Sequence, residues 1–262
     1  MKNSSTACWQ WNGECFRTAS EVPLSDRGFR YGMSVFESIL IRDGEPVFLN
    51  EHVNRLVKAC EACRFQFDTK ALDQFENRLR GSVPDGLARI YVTAGDGAVS
   101  SPAEQCRIFV FAESRTPITS AYYERGYDLS ITKEPHRPVF GGLKTANYWT
   151  NIAALNNAHP KNESLLFNAE GQLISACMAN VFIVKNGEIK TPALSCGARN
   201  GVMRERVMQQ RKVTECVITR DDLIAADEIF LTSSWIEVMP AASLEGHPLP
   251  ENATTKSLRG PQ

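Results

Sequence analysis

The sequence predicts an α+β protein, and three observations predict it. Strand-like and helical patterns alternate through the first hundred residues, the second half carries many short apolar runs broken by helical stretches, and a polar, turn-rich segment lies between them. CWQWNGE reads as a strand running into a turn. SVFESILIRDGEPVFL reads as two strands joined at Asp43-Gly44, because an Asp-Gly pair tolerates the positive φ angles of a two-residue hairpin turn. A helix follows, with Asn50 as its candidate start and Val53, Leu56, Cys60 and Cys63 recurring at helical spacing. ALDQFENRLRGSV reads as a second helix ended near Gly81, and ARIYVTAG and CRIFVFAES as β-rich runs either side of a Gly/Ser loop.

SRTPITSAYYERG, residues 114–126, is the expected linker. Beyond it YDLSIT, ESLLFN, ANVFIVKNGEIKT, CVITR and EIFLTSS read as strands, with helices expected near Thr145–Asn157 and Val202–Arg211. The final ENATTKSLRGPQ reads as weakly structured.

A chain of 262 residues can bury one large core or two ordinary ones. Its 29 basic residues against 30 acidic ones leave no electrostatic footprint of a nucleic-acid or anionic-membrane partner. The N-terminal stretch lacks the apolar core of a signal peptide, and no run approaches the roughly 18 to 20 apolar residues of a spanning helix. The expectation is a soluble, cytoplasmic protein. Only Cys60 and Cys63 among eight cysteines form a CxxC pair, and both thiols are expected on a buried helix face, with no second pair to complete a zinc site. His52, His136, His159 and His247 are too dispersed to propose a metal site.

Chemistry concentrates in three stretches. In HRPVFGGLKTANYWTNIAALNNA, Lys144 follows the Gly141-Gly142 pair, whose freedom lets the backbone approach something closely. A lysine there that points into a cavity suits Schiff-base chemistry, since desolvation frees its amine as a nucleophile; the ordinary alternative is a solvated surface charge. In SCGARNGVMRERVMQQ, Gly197 and Gly201 flank a turn that opens a helix, whose N–H groups at Val202 and Met203 can bind an anion. In FLTSSWIEVMP, a strand ends in Thr232, Ser233 and Ser234, hydroxyl donors suited to a phosphate but also common at strand ends. Arg55 is a candidate cation or simply a solvated helix residue.

Taken in order, LSDRGFRYGMSVFESI, EHVNRL, GGLKTANY, ESLLFNAEGQLISACMANVFIV, GARNGVMR and ADEIFLTSSWIEVMPAASLEG resemble the class IV aminotransferases, a family including branched-chain and D-amino-acid aminotransferases and aminodeoxychorismate lyase. The resemblance implies pyridoxal 5′-phosphate as cofactor and Lys144 as the lysine that carries it and moves protons. It implies Arg55, the N–H groups of Val202 and Met203, and Ser233 and Ser234 as phosphate partners. Tyr31 and Phe36 would line the substrate side, with core packing as the alternative. Asn180 would organise the loop near the cofactor. The implied fold is type IV, two α+β domains over residues 1–115 and 116–262, the second carrying the lysine, with the cofactor at their junction. A small amine or amino-acid-like substrate and a homodimer are implied as well.

Two positions depart from the family pattern. Where the family places a glutamate against the cofactor's pyridine nitrogen, this chain has Ser175, which brings no negative charge and weakens the electron sink. Trp235 follows the Thr-Ser-Ser run, where the family usually has a small residue, and would crowd a substrate carboxylate or stack on what enters. The chain length, MAN, GVMR and EVMP favour a lyase that releases pyruvate and 4-aminobenzoate; KTANY favours a transaminase. Ser175 and Trp235 also raise a third reading, a homologue that binds the cofactor or a partner without chemistry.

Overall fold

The computed structural model describes residues 6–249 and 252–259, and the chain divides into two compact units. One comprises Met1–Pro117 with Lys144–Asn147, the other Ile118–Leu143 with Tyr148–Gln262.

The first unit is built on a six-stranded sheet in the order β2-β1-β6-β5-β3-β4. Its strands are β1 (Thr6–Trp11), β2 (Phe16–Thr18), β3 (Ser34–Arg42), β4 (Glu45–Pro46), β5 (Gly86–Thr93) and β6 (Arg107–Ser114), and each pairing is antiparallel. Asp43 and Gly44 turn β3 into β4 with φ of 51° and 77°, the expected hairpin. The helices are α1 (Arg27–Tyr31), α2 (Leu49–Ala62) and α3 (Leu72–Leu79). β3 is buried along nearly its whole length, polar Ser34 and Glu37 included, so burial there does not follow an alternating apolar pattern. α2 presents His52, Leu56, Ala59 and Cys60 as its buried residues. A fully buried side chain such as Leu56 or Ile39 contributes about 2 kcal/mol through area removed from water.

Two readings of α2 need correction. It starts at Leu49 after Phe48, which sits in the left-handed region without a side-chain cap, instead of at Asn50. Cys63 is the half-buried C-cap, so Cys60 alone of the pair is fully buried.

The second unit carries a nine-stranded mixed sheet, in the order β12-β11-β10-β13-β14-β7-β8-β9 with β15 paired to β14. These are β7 (Tyr127–Ile131), β8 (Glu163–Phe167), β9 (Leu173–Ala176), β10 (Asn180–Lys185), β11 (Glu188–Pro192), β12 (Val213–Cys216), β13 (Glu228–Ser233), β14 (Glu237–Leu244) and β15 (His247–Pro248). Its helices are α4 (Ser120–Arg125), α5 (Trp149–Ala158), α6 (Val202–Gln210), α7 (Arg220–Ile224) and α8 (Ala253–Arg259). One apolar cluster joins Leu129, Leu165, Val181, Leu231 and Met239 from five strands.

Several expectations change here. The linker segment contains α4, and residues 217–220 of CVITR lie outside β12, with Arg220 opening α7. The C-terminal stretch forms α8, because the buried Glu228 carboxylate accepts the N–H groups of Thr254 and Thr255 at its first turn; residues 250, 251 and 260–262 of that stretch lie outside the described ones. The helix expected from Thr145 begins at Trp149, and residues 144–147 join the first unit's sheet instead. No described helix is long and apolar enough to cross a membrane.

Candidate active site

Lys144 is held by main-chain pairing. The Phe36 N–H donates to the Lys144 carbonyl at 2.9 Å, the Ala146 N–H donates to the Ser34 carbonyl at 2.9 Å, and Thr145 bridges Val35 antiparallel. Residues 144–146 therefore continue the sheet beside β3, which is why they group with the first unit although the sequence reading assigned the lysine to the second half. Asn147 closes the segment by donating Nδ2–H to the Gly32 carbonyl at 3.0 Å. Gly32 has φ 68°, and a Cβ there would meet Asn147 Oδ1 at 2.5 Å, so glycine is required on two counts.

This pairing sets the amine against an aromatic surface. Lys144 Nζ lies 4.2 Å from the Phe36 ring centroid, and Phe36 stacks on its cross-strand neighbour Tyr91 at 5.2 Å and 17°. Tyr31, the last residue of α1, is 43% exposed directly before the Gly32 turn. The structure thus brings Lys144 and Phe36 together and puts Tyr31 next to the turn that Asn147 locks. Tyr91 was absent from the sequence reading; its place opposite Phe36 is a matter of strand register, which no local pattern reveals.

The glycine pair before the lysine has a plain explanation. Gly142 adopts φ 86° and packs so closely on the Ala198 carbonyl that a Cβ would meet that oxygen at 2.8 Å.

Arg55 is not a solvated helix residue. Its Nε and Nη2 donate to Glu37 Oε1 and Oε2 at 2.7 and 2.6 Å, and His52 Nδ1, one turn earlier on α2, donates to Glu37 Oε2 at 2.7 Å. Burial pushes the Glu37 pKa up, and the Arg55 charge with the hydrogen bonds from His52 and Arg55 more than reverses this, holding it at about 2. Neighbouring residues of β3 thus hold two cations, Phe36 the ammonium and Glu37 the guanidinium, on opposite faces of the strand.

In the second unit Asn180 and the glycine turn at Gly201 shape the start of α6. Gly201 is its N-cap, with no side-chain cap, so the first N–H groups at Val202 and Met203 point outward from the helix end. Asn180 donates Nδ2–H to the Arg199 carbonyl at 2.7 Å, and a Cβ on Gly201 would lie 2.1 Å from Asn180 Oδ1. Asn180 therefore fixes the 199–201 turn. Its cross-strand partner is Thr232, whose Oγ1 is buried with no hydrogen-bond partner. Ser233 Oγ accepts the Ile236 N–H at 3.4 Å, Ser234 follows it in the turn, and both are half-buried. Trp235 is half-buried and packed against the second unit's apolar cluster. Arg204, fully buried in α6, ties the helix to the Pro192 carbonyl and to Glu215, an anchor the sequence did not disclose.

Ser175 lies on β9 opposite Leu166 of β8. The acidic side chain on these strands is Glu163, buried, with Oε1 accepting the Met178 N–H at 3.1 Å. Burial pushes its pKa up to about 7, against the N–H donors of Met178, Ser164 and Cys177. Glu163 precedes Leu166 by three residues, so it leaves the sheet on the opposite face from Ser175. It cannot supply the carboxylate missing at position 175. Among the described residues, no group of three or more His, Cys, Asp and Glu is placed to hold a metal ion.

The sequence model described as Amino-transferase class IV matches residues 34–244. The chain belongs to this family. Class IV aminotransferases use pyridoxal 5′-phosphate, and this member is accordingly a pyridoxal-phosphate enzyme of fold type IV. A D-alanine aminotransferase of Listeria monocytogenes is 27% identical over 248 residues, 88% of this chain and 84% of the relative. The crystal structure of 4-amino-4-deoxychorismate lyase from Pseudomonas aeruginosa is 25% identical, covers 96% of both chains and superposes with a TM-score of 0.86. The branched-chain amino acid aminotransferase from Escherichia coli, 21% identical, shares the fold at a TM-score of 0.83 over 97% of this chain and 92% of its own. The class IV relatives thus span transferases and lyases at similar distance.

Proposed function

We propose that this class IV enzyme is a 4-amino-4-deoxychorismate lyase-like member that takes a ring-bearing amine and releases pyruvate and 4-aminobenzoate. The observation that carries this reading is Lys144 Nζ set 4.2 Å from Phe36, which stacks on Tyr91, because a flat aromatic surface beside the base suits a ring that flattens as it aromatises. Lys144 carries the cofactor. Arg55, the N–H groups of Val202 and Met203, Ser233 and Ser234 hold its phosphate, to which we add the orphaned Thr232 hydroxyl. Asn180 keeps the 199–201 turn in place for that task. Tyr31 and Phe36 line the substrate side.

When bound, pyridoxal phosphate supplies an aldehyde for the substrate amine and an electron sink for the bond that breaks. Lys144 then takes the proton from the carbon that bears the amine. In the lyase reaction those electrons complete the aromatic ring as its C–O bond to the enolpyruvyl group breaks, the departing enolate takes a proton on its methylene carbon from Lys144 or solvent to become pyruvate, and aromatisation drives the step. Ser175 fits this better than it fits transamination: it brings no charge to strengthen the sink, and a reaction that ends in an aromatic ring demands less of it. Trp235, anchored in the core, adds bulk beside the Thr-Ser-Ser turn and narrows the range of amino acids admitted there.

A branched-chain or D-amino-acid aminotransferase is the second reading, favoured by the D-alanine aminotransferase relative. Purified protein supplied with 4-amino-4-deoxychorismate is expected to release 4-aminobenzoate and pyruvate, and Lys144→Ala is expected to release neither. Keto acid formed from an amino acid and a keto-acid acceptor, with no 4-aminobenzoate, would instead establish the transaminase. Borohydride that fixes pyridoxal phosphate to wild type and equally to Lys144→Ala would remove Lys144 from its role. We also read the protein as a cytoplasmic homodimer: Leu24, Phe29 and Tyr31, close in sequence and 76%, 64% and 43% exposed, are apolar side chains of the first unit that a second copy would cover. Light scattering that returns a monomer mass overturns this.

A further inference from the structure

We propose that Glu37 is a positioning residue for cofactor phosphate, acting through Arg55. This rests on the reading of Arg55 as a phosphate ligand. Three features of the cluster carry it. Glu37 engages Arg55 side-on, through Nε and Nη2, which fixes the plane of the guanidinium as a single contact would not. The Glu37 side chain is 2% exposed whereas Arg55 is 22% exposed, so the carboxylate is buried beneath and the guanidinium faces outward from it. His52, itself 1% exposed, donates to the same carboxylate, so Glu37 is gripped from two points on one helix and cannot follow Arg55 if Arg55 swings.

A buried carboxylate under an arginine has two opposite effects on an anion above it. It cancels part of the positive charge, which weakens anion binding. It also holds the donor fork in one orientation, which strengthens binding by removing the cost of ordering a long side chain. Orientation dominates where the carboxylate is bidentate and immobile, as here. The sign of the effect on phosphate affinity therefore separates positioning from simple charge cancellation.

The test is a titration of cofactor-free protein with pyridoxal 5′-phosphate and with pyridoxal, which lacks the phosphate, followed by protein fluorescence and by the cofactor absorbance. Glu37→Gln keeps the shape but loses the charge and one acceptor oxygen. It is expected to weaken pyridoxal phosphate about tenfold while pyridoxal stays close to wild type. Arg55→Gln is expected to give the same selective loss, and the double variant no more than either alone. Glu37→Asp, which keeps the charge but shortens the reach, is expected to fall between and serves if the glutamine variant does not fold. Tighter pyridoxal phosphate binding in Glu37→Gln would mean charge cancellation and overturn the proposal, as would an equal loss for both compounds, which marks a purely structural role. A selective loss in Arg55→Gln with none in either Glu37 variant would sink the positioning role and leave Arg55 as a phosphate ligand. No selective loss in Arg55→Gln would remove the reading on which the proposal rests.

Discussion

Glu37 in the first unit and Glu163 in the second are both buried glutamates, and the two have opposite acidities. Glu37 and Glu163 are 1% and 4% exposed, yet Glu37 is held at about 2 and Glu163 is pushed up to about 7. Burial acts upward on both. The difference lies in what surrounds them: an arginine fork and a histidine for Glu37, main-chain N–H groups for Glu163. Here the main-chain dipoles around Glu163 ease its desolvation without offsetting it, whereas the full opposite charge of Arg55 beside Glu37 reverses it. Glu37 is thus a committed anion that organises a cation, whereas Glu163 titrates near neutrality and fastens the turn between β9 and β10.

The largest expected effect tests the committed pair. Glu37→Ala leaves Arg55 and His52 over an empty, buried position and should cost about 3–5 kcal/mol of stability, the range for breaking a buried ion pair from one side. Chemical denaturation measures it, and a loss below about 1 kcal/mol would mean that the pair adds little beyond its packing. In wild type the pair's contribution should be complete above the ordinary carboxylate pKa near 4.5 and disappear as pH falls toward about 2, since the folded state holds Glu37 ionised.

The next effect has the opposite pH sense. A carboxyl whose folded pKa is about 7 binds a proton in the folded protein that the unfolded chain has lost, so wild-type stability should fall as pH rises from about 4.5 to 7. Glu163→Gln, which keeps a carbonyl acceptor for the Met178 N–H, should remove this slope. The variant is expected to match wild type near pH 5 and exceed it by about 3 kcal/mol near pH 8, as urea titrations at both pH values would measure. Parallel pH profiles would mean that Glu163 titrates as an ordinary exposed acid.

The smallest effect belongs to the turn that leads into α6. Asn180→Ala removes the hydrogen bond to the Arg199 carbonyl and should cost about 1–2 kcal/mol while raising amide exchange at residues 199–203. Unchanged exchange there would show that Arg204 alone secures the start of α6.

What the sequence could reveal follows from the range of the forces involved. The Asp43-Gly44 hairpin was legible because positive φ is a property of those two residues. β5, β6, β8 and α6 were legible because their apolar patterns are internal to each segment. Residues 144–147 were not, because their conformation is imposed by Ser34 and Phe36, more than a hundred positions away. α4 escaped notice inside a polar stretch, where six residues carry too little apolar period to register. Lys144 and Arg55 were picked out by resemblance and chemistry together, and Asn180 by resemblance alone. Thr232 was legible only as one hydroxyl of a strand end, and Glu37, Tyr91 and Glu163 were not legible at all, since a buried carboxylate or ring announces its role only through neighbours that the fold supplies.

The stitching of residues 144–146 to β3 has a mechanical meaning. A lysine whose own carbonyl is hydrogen-bonded and whose next residues continue a sheet has a stationary shoulder, so the whole of its travel lies in the flexible arm of four methylenes. The ammonium can swing between one atom and another while the main chain stands still, and each return stroke begins from the same rest position over Phe36. On the proposed role of Lys144, proton transfer then asks only for rotation about the single bonds of its side chain, with no movement of the main chain.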